Sequence, residues 1–445
     1  MSQSYAKIRF IGYAIPTTPA NMVAIGNPNG PGAVAGTYLG LADFQADVRA
    51  RIAVLKNAAE VAKAALPLGE APGSVLNLFV APEFYFHGTQ GPYLYGHGDP
   101  DPADFILDQL RLAFPASDYP DWTLVCGSAI TSRVQDMASI AVANNTTVRN
   151  DVVRALSEQW LASYGPLNGV IFDMLVNFIK NCHGYPCMEV RNRALIVSNV
   201  ALDTPTHSLG TDRMTCEKYF VSNEDFILYD TTGRKDVVTE QMTAYPFIDL
   251  SHGDLKATAK DKYAIFRQNY GPQNFPQYVD FGVEVCLDHS DVRLRRNIDN
   301  EPWPQPVDAL HVQIIPSCGM QISAPSVAAD AMGFVFNCDG QYALDATNGT
   351  ANAGLQNGVQ CLYANYIDST APAYAGHTQL ARVQQPAVGC DPNRKGSSNA
   401  SFETLASEAT AVLAVPVIPD LAQCFAGGPG AVHIYGLQTP YNFYS

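Results

Sequence analysis

The sequence predicts an α/β fold, and two observations carry that expectation. The first is a set of short runs with almost no polar face, of which Val75 to Val80 (VLNLFV) is the clearest. A strand that is apolar on both faces belongs in a sheet covered on both sides. The second is their alternation with helical patterning: MSQSYAKIRFIGYAI reads as a first strand, Arg51 to Leu66 as an amphipathic helix, and Val75 to Val80 as a second strand. Strand, helix, strand is how an α/β domain begins.

Further along, Thr123–Cys126, Ala194–Val200, Asp225–Tyr229, Gly282–Leu287, Ala309–Ile315 and Gly333–Asn337 share the apolar character of strands. Between Ser132 and Pro186 the pattern is mostly helical. Val170 to Ile179 is apolar around most of its circumference, which calls for burial or an oligomer contact. From 341 onward the chain is rich in Gly, Ala, Pro, Asn and Gln and shows no clear period, so 341–445 reads as a loop-rich extension.

Composition narrows the function classes. Charged residues make up 16% of the 445 and AVILMFWYC residues 47%, a globular balance. Lys and Arg number 27 against 42 Asp and Glu, a formal charge of −15 with no basic cluster. A nucleic-acid partner is therefore not expected. No apolar run approaches the roughly 18 residues of a membrane span. The N-terminus lacks the basic head and long apolar stretch of a signal peptide, so a cytoplasmic protein with reduced thiols is expected. Of the ten cysteines, only Cys182 and Cys187 form a tight pair, whose spacing supports neither a redox motif nor a zinc site.

Three strings carry chemistry. Leu76 to Phe86 (LNLFVAPEFYF) runs an apolar strand into Pro82 and Glu83 at its carboxyl end, where α/β sheets gather their sites. A carboxyl among Phe84, Tyr85 and Phe86 is desolvated towards the range of a general base. The plainer alternative is a strand-end Glu facing solvent. Phe281 to His289 (FGVEVCLDH) delivers Cys286 on a strand-to-loop elbow, with the Leu287 N–H placed to meet an oxyanion. The plainer alternative there is a buried structural thiol. Thr215 to Phe220 (TCEKYF) offers Lys218 among aromatic residues as an oxyanion partner, which on its own is a weak signal.

In the order Glu, Lys, Cys, these strings resemble the nitrilase superfamily of carbon–nitrogen hydrolases. The resemblance runs through Ile8–Ala14, Ala81-Pro82-Glu83-Phe84, Thr123–Ser128, Arg193–Val197 with Asn192 before it, Glu217-Lys218-Tyr219, Gly282–Asp288, His311–Ser317 and Gly333–Cys338. It departs from the family at Leu287, often aromatic there, and at Phe220, often His. The resemblance implies a single domain over 1–445 with a four-layer αββα sandwich, insertions within 88–190 and 231–276, and a homodimer or larger homo-oligomer. It implies an amide or nitrile substrate and no cofactor or metal. In its chemistry Glu83 is the base, Cys286 the nucleophile, and Lys218 with the Leu287 N–H the oxyanion donors. Glu224 and Asp288 are candidate supporting residues. His87, Tyr93 and His289 are candidate substrate contacts, and His87 to His97 reads as a lid. A zinc site from His87, His97 and Asp99 has no compact ligand pattern behind it. Three other readings stand beside this one: a catalytically silent binding module, an N-acyl transferase using the same triad, and a thiol hydrolase pairing Cys286 with His289.

Overall fold

The computed structural model describes residues 5–18, 20–25, 33–89, 91–96, 99–136, 186–203, 211–218, 264–270, 277–290, 292–296, 310–341, 377–387, 398–405 and 410–443. These form a mixed α/β protein with sheets of nine and six strands, a small two-stranded ribbon of β2 (Ala20–Ile25) and β3 (Ala33–Thr37), and few helices.

The larger sheet is built around β1 (Lys7–Ala14), β4 (Val75–Ala81) and β6 (Trp122–Asp136), which run parallel. Antiparallel to them come β7 (Pro186–Leu202) beside β6 and β16 (Ala431–Tyr435) beside β1. The edges are β8 (Thr211–Glu217) and β15 (Thr410–Ala414). In the smaller sheet β10 (Gln277–Val283), β11 (Leu310–Ser317) and β12 (Ala329–Asp339) run parallel. They are flanked by β9 (Ile265–Tyr270), β13 (Gln379–Gln385) and β14 (Ser401–Thr404).

Side-chain alternation explains the layers. Along β4, Leu78 and Val80 join a core with Phe281, Val283, Val312, Ile314, Phe334 and Phe336, so the two sheets pack face to face. Phe10 of β1 meets the Phe336 ring edge-on at 5.4 Å across this interface. Phe79 and Ala81 point the other way, into a second core with α1 (Phe44–Ala65) and α2 (Pro102–Ala113). Each fully buried Leu or Phe contributes about 1.5–3 kcal/mol to holding these layers.

Three sequence expectations change here. The first helix begins at Phe44 rather than Arg51, because the Asp43 carboxylate caps it by accepting from the Ala46 N–H at 2.8 Å. The expected four layers are seen only in part. Helices cover the outer face of the nine-stranded sheet, but among the described residues Ile315, Ala329, Val335, Ala381 and Val383 of the other sheet pack on Val327 and Ala400 instead. The stretch read as a loop-rich extension supplies β13 and β14 to one sheet and β15, β16 and β17 (Tyr441–Asn442) to the other. Within the ranges 88–190 and 231–276, where insertions were expected, β5 (Tyr93–Gly96) joins the larger sheet beside β6 and β9 edges the smaller. Asp225–Tyr229 and Val170–Ile179 lie outside the described residues.

Candidate active site

Glu83 sits two residues past the end of β4, and its backbone is held from two directions. The Thr17 hydroxyl donates to its carbonyl at 2.7 Å, and its own N–H donates to Ser317 O, at the end of β11, at 3.3 Å. The next residue, Phe84, adopts a left-handed φ of 58° and donates its N–H to Ser128 Oγ at 3.0 Å. Left-handed backbone at a non-glycine residue is costly and persists only where surroundings enforce it. Gly127 makes room for this turn: at its φ of +77° a Cβ would lie 2.4 Å from Pro82 O and 2.6 Å from Tyr85 Cβ.

The Glu83 side chain is fully buried. Its Oε1 accepts from Lys218 Nζ at 2.9 Å and from Asn192 Nδ2 at 2.9 Å. Lys218 follows β8 directly and is 4% exposed. Its N–H donates to Asn192 O at 2.8 Å, so Asn192 holds the carboxylate with its side chain and the lysine with its backbone. Sequence reasoning named Asn192 only as a marker before a strand and missed this bridge. Its one local signal was a polar residue at the head of an apolar run.

Cys286 comes from the other sheet. Beyond Val283 the chain stays beside β11, with Glu284 N–H donating to Ile314 O at 3.0 Å and Cys286 N–H to Pro316 O at 3.1 Å. Cys286 then turns with a left-handed φ of 48° into the short helix α3 (Leu287–Ser290). The residue is 5% exposed. Burial pushes the thiol pKa well above its ordinary value, and the charge and hydrogen bond of Glu83 push the same way. Lys218 and the Cys318 carbonyl, 4.0 Å from Sγ, oppose this. The resting thiol is therefore protonated at neutral pH and needs a base before it can attack. Glu83, Lys218 and Cys286 thus meet between the sheets. The three do not share one sheet's edge: the first two follow β4 and β8 of the larger sheet and the third follows β10 of the smaller.

The other candidates are mostly turned inward. Asp288 accepts from Arg293 Nη1 at 3.0 Å, and the same guanidinium nitrogen donates to Glu217 O at 2.5 Å, pinning α3 to the end of β8. His289 is fully buried between Glu284 Oε2, 2.7 Å from Nδ1, and the Ser323 N–H, 2.9 Å from Nε2. Both ring nitrogens are engaged there, which leaves neither for substrate or for the thiol. Tyr93 donates to Asp47, which also binds Arg51 at 2.8 Å, and its ring packs on Phe44. His87 is buried with Nδ1 3.1 Å from Gly88 O, and burial followed by the Arg51 charge holds its pKa well below the usual value. The lid expected after Glu83 is instead a tight Gly88–Gly91 turn followed by β5, paired with β6. Leu287 opens α3 and packs half-buried against the inter-sheet core. Glu224, His97 and Cys182 lie outside the described residues. Among the described residues no group of His, Cys, Asp and Glu is arranged to hold a metal, and six cysteines, Cys286 and Cys318 included, are thiols outside any disulfide.

No family model and no curated protein matches the chain. Among solved structures, the crystal structure of an N-terminal amidase aligns with 71% of this chain and 48% of its own length, at 9% identity and a TM-score of 0.27. The chain spans about half the length of that protein. The assignment to the nitrilase superfamily is corrected accordingly, and no family is assigned. The physical reason is general: α/β sheets deliver polar residues at strand carboxyl ends, so short strings of that kind recur in unrelated proteins.

Proposed function

We propose that the protein hydrolyses a carbon–nitrogen bond of a small amide or nitrile, with Cys286 as nucleophile. The observation that carries this reading is the buried contact of Lys218 Nζ with Glu83 Oε1 at 2.9 Å beside a buried thiol close enough for the same carboxylate to raise its pKa. Base, cation and nucleophile are complementary, and burial strengthens each interaction.

For an amide, Glu83 takes the thiol proton as Sγ bonds to the carbonyl carbon. The carbonyl π electrons move to oxygen, and Lys218 Nζ with the Leu287 N–H stabilises the resulting oxyanion. Collapse breaks the carbon–nitrogen bond, and the nitrogen leaves with the proton held by Glu83. A water molecule then gives a proton to Glu83 and attacks the thioester, releasing a carboxylic acid and restoring the thiol. Lys218 and Asn192 keep Glu83 ionised between steps by binding the charged form. On this reading the protein assembles as a homodimer or larger homo-oligomer, with the apolar 170–179 segment as its motive.

The test is a panel of small amides and nitriles scored for released ammonia, with intact-mass detection of acyl-protein. Ammonia release that disappears in Cys286→Ala, with a trapped adduct mapped to Cys286, is the expected result. Turnover that survives Cys286→Ala removes the proposal.

A further inference from the structure

Glu284, two residues before the proposed nucleophile, is a fully buried carboxylate that the reaction above leaves unused. Three donors converge on it. The Leu294 N–H reaches Oε1 at 2.6 Å, while His289 Nδ1 and Gln313 Nε2 reach Oε2 at 2.7 and 2.8 Å. Because His289 Nε2 accepts the Ser323 N–H at 2.9 Å, the neutral ring carries its proton on Nδ1 and donates it to Glu284. Gln313, on β11, also donates to Ser326 O at 3.0 Å and accepts the Ala328 N–H at 2.8 Å.

These bonds have a geometric consequence. Glu284 ties the end of β10 to Leu294 and so closes the loop that carries Cys286 and Leu287. Through His289 and Gln313 it also ties that loop to residues 323–328, downstream of Cys318, whose carbonyl faces the thiol. A buried carboxylate is costly to desolvate, and a well-packed apolar side chain would often be at least as stabilising. At the foot of a left-handed cysteine, the conformation it enforces is the physical return.

We propose that Glu284 is a positioning residue which, with His289 and Gln313, clamps the Cys286 elbow so that the thiol meets Glu83. The proposal rests on the reading of Glu83 as the base, and its test separates the two. The rate of Cys286 alkylation by iodoacetamide at neutral pH, followed by peptide mass mapping, needs no substrate. It is compared in the wild type, Glu83→Gln, Glu284→Gln and the double variant, each checked for folding by circular dichroism. Glu284→Gln keeps the shape but turns an amide N–H towards converging donors. Glu284→Gln should slow alkylation by about a hundredfold, the scale of a misplaced reacting group. Glu83→Gln should slow it too, because the protonated thiol loses the carboxylate that takes its proton as sulfur bonds to carbon, a loss larger than the gain from removing a negative charge that raises the thiol pKa. The double variant should be no slower than the slower single one, because a displaced thiol no longer feels the base. Fully additive slowing, or a wild-type rate in folded Glu284→Gln, overturns the clamp alone. A rate unchanged or raised by Glu83→Gln overturns the base assignment and the purpose of the clamp with it. Should Glu284→Gln fail to fold, His289→Gln and His289→Phe carry the test. Glutamine supplies one donor and one acceptor and should keep the rate near wild type, whereas phenylalanine removes both and should lose it. Equal loss in the two would indicate a Cys286–His289 pair and overturn the clamp.

Discussion

Glu83 and Glu284 are both fully buried carboxylates just past strand ends, one in each sheet, and they differ in what faces them. Glu83 meets an ammonium, a carboxamide and a thiol. Glu284 meets a backbone N–H, an imidazole and a carboxamide, all donors that belong to the scaffold. The first arrangement places a movable proton next to a carboxylate. The second uses every contact for shape. Burial alone therefore does not mark a catalytic acid; the chemistry of the partners does.

The comparison can be broken most forcefully from the Glu83 side. Cys286→Ala should bring amide turnover to background, and Glu83→Gln should lower it about a thousandfold, within the range for a lost general base. Lys218→Met should do more than slow the reaction. It strands a buried carboxylate, so an unfolding midpoint in urea should report a loss of about 3–5 kcal/mol. A Lys218→Met protein as stable as the wild type would show that Glu83 is not held as a charged partner.

Smaller effects sharpen the contrast. Asn192→Ala removes one bond to the carboxylate, for a cost of about 1.5–3 kcal/mol, and should lower turnover alongside stability. Gly127→Ala must displace the Pro82–Tyr85 turn, whereas Gly69, also at positive φ (+88°), has nothing within 4 Å of a Cβ. Gly69→Ala should therefore cost only the backbone term, roughly 1 kcal/mol, and leave turnover alone. Gly127→Ala should cost more and impair turnover as well, and equal effects at the two sites would remove the claim that this glycine seats Glu83.

The pH profile gives the mildest test. His87, His311 and His377 all have pKa values lowered below 6.5, mainly by burial. The unfolded chain then binds more protons than the folded one in that range. Stability is full above about 6.5 and declines as pH falls towards the lowered values. Calorimetry on His87→Gln should show a shallower decline between about pH 6.5 and 5 than the wild type. Asp101, held down to about 2 by Arg193 against the upward push of burial, adds a separate loss below its ordinary 3.8.

Much of the scaffold was legible along the chain. The two-sided apolar run of β4 predicted a covered strand, and Leu78 and Phe79 indeed enter two different cores. The three candidate catalytic groups were legible as strand-end residues. Asn192 was not, because a carboxamide before a strand looks alike whether it faces water or a carboxylate. His289, Tyr93 and His87 were read as substrate contacts because polar rings near a candidate site attract that reading. The fold turns each towards Glu284, Asp47 or a backbone carbonyl instead. The strands after 377 were missed because β14 (SFET) and β15 (TAVLA) are short and β13 (QLARVQQ) is mostly polar, and sheet neighbours rather than a strong local pattern hold them there.

By itself the sequence determined which segments are buried on both faces and where polar groups interrupt them, since burial and period are written into neighbouring residues. Only the tertiary structure decided that Cys286 approaches Glu83 and Lys218 from the opposite sheet, that Asn192 bridges the pair, and that Glu284 is occupied by the scaffold. Those facts depend on which strands pair and which sheets face each other. Such contacts join residues far apart in the chain, and their identity is set by the packing of the whole molecule.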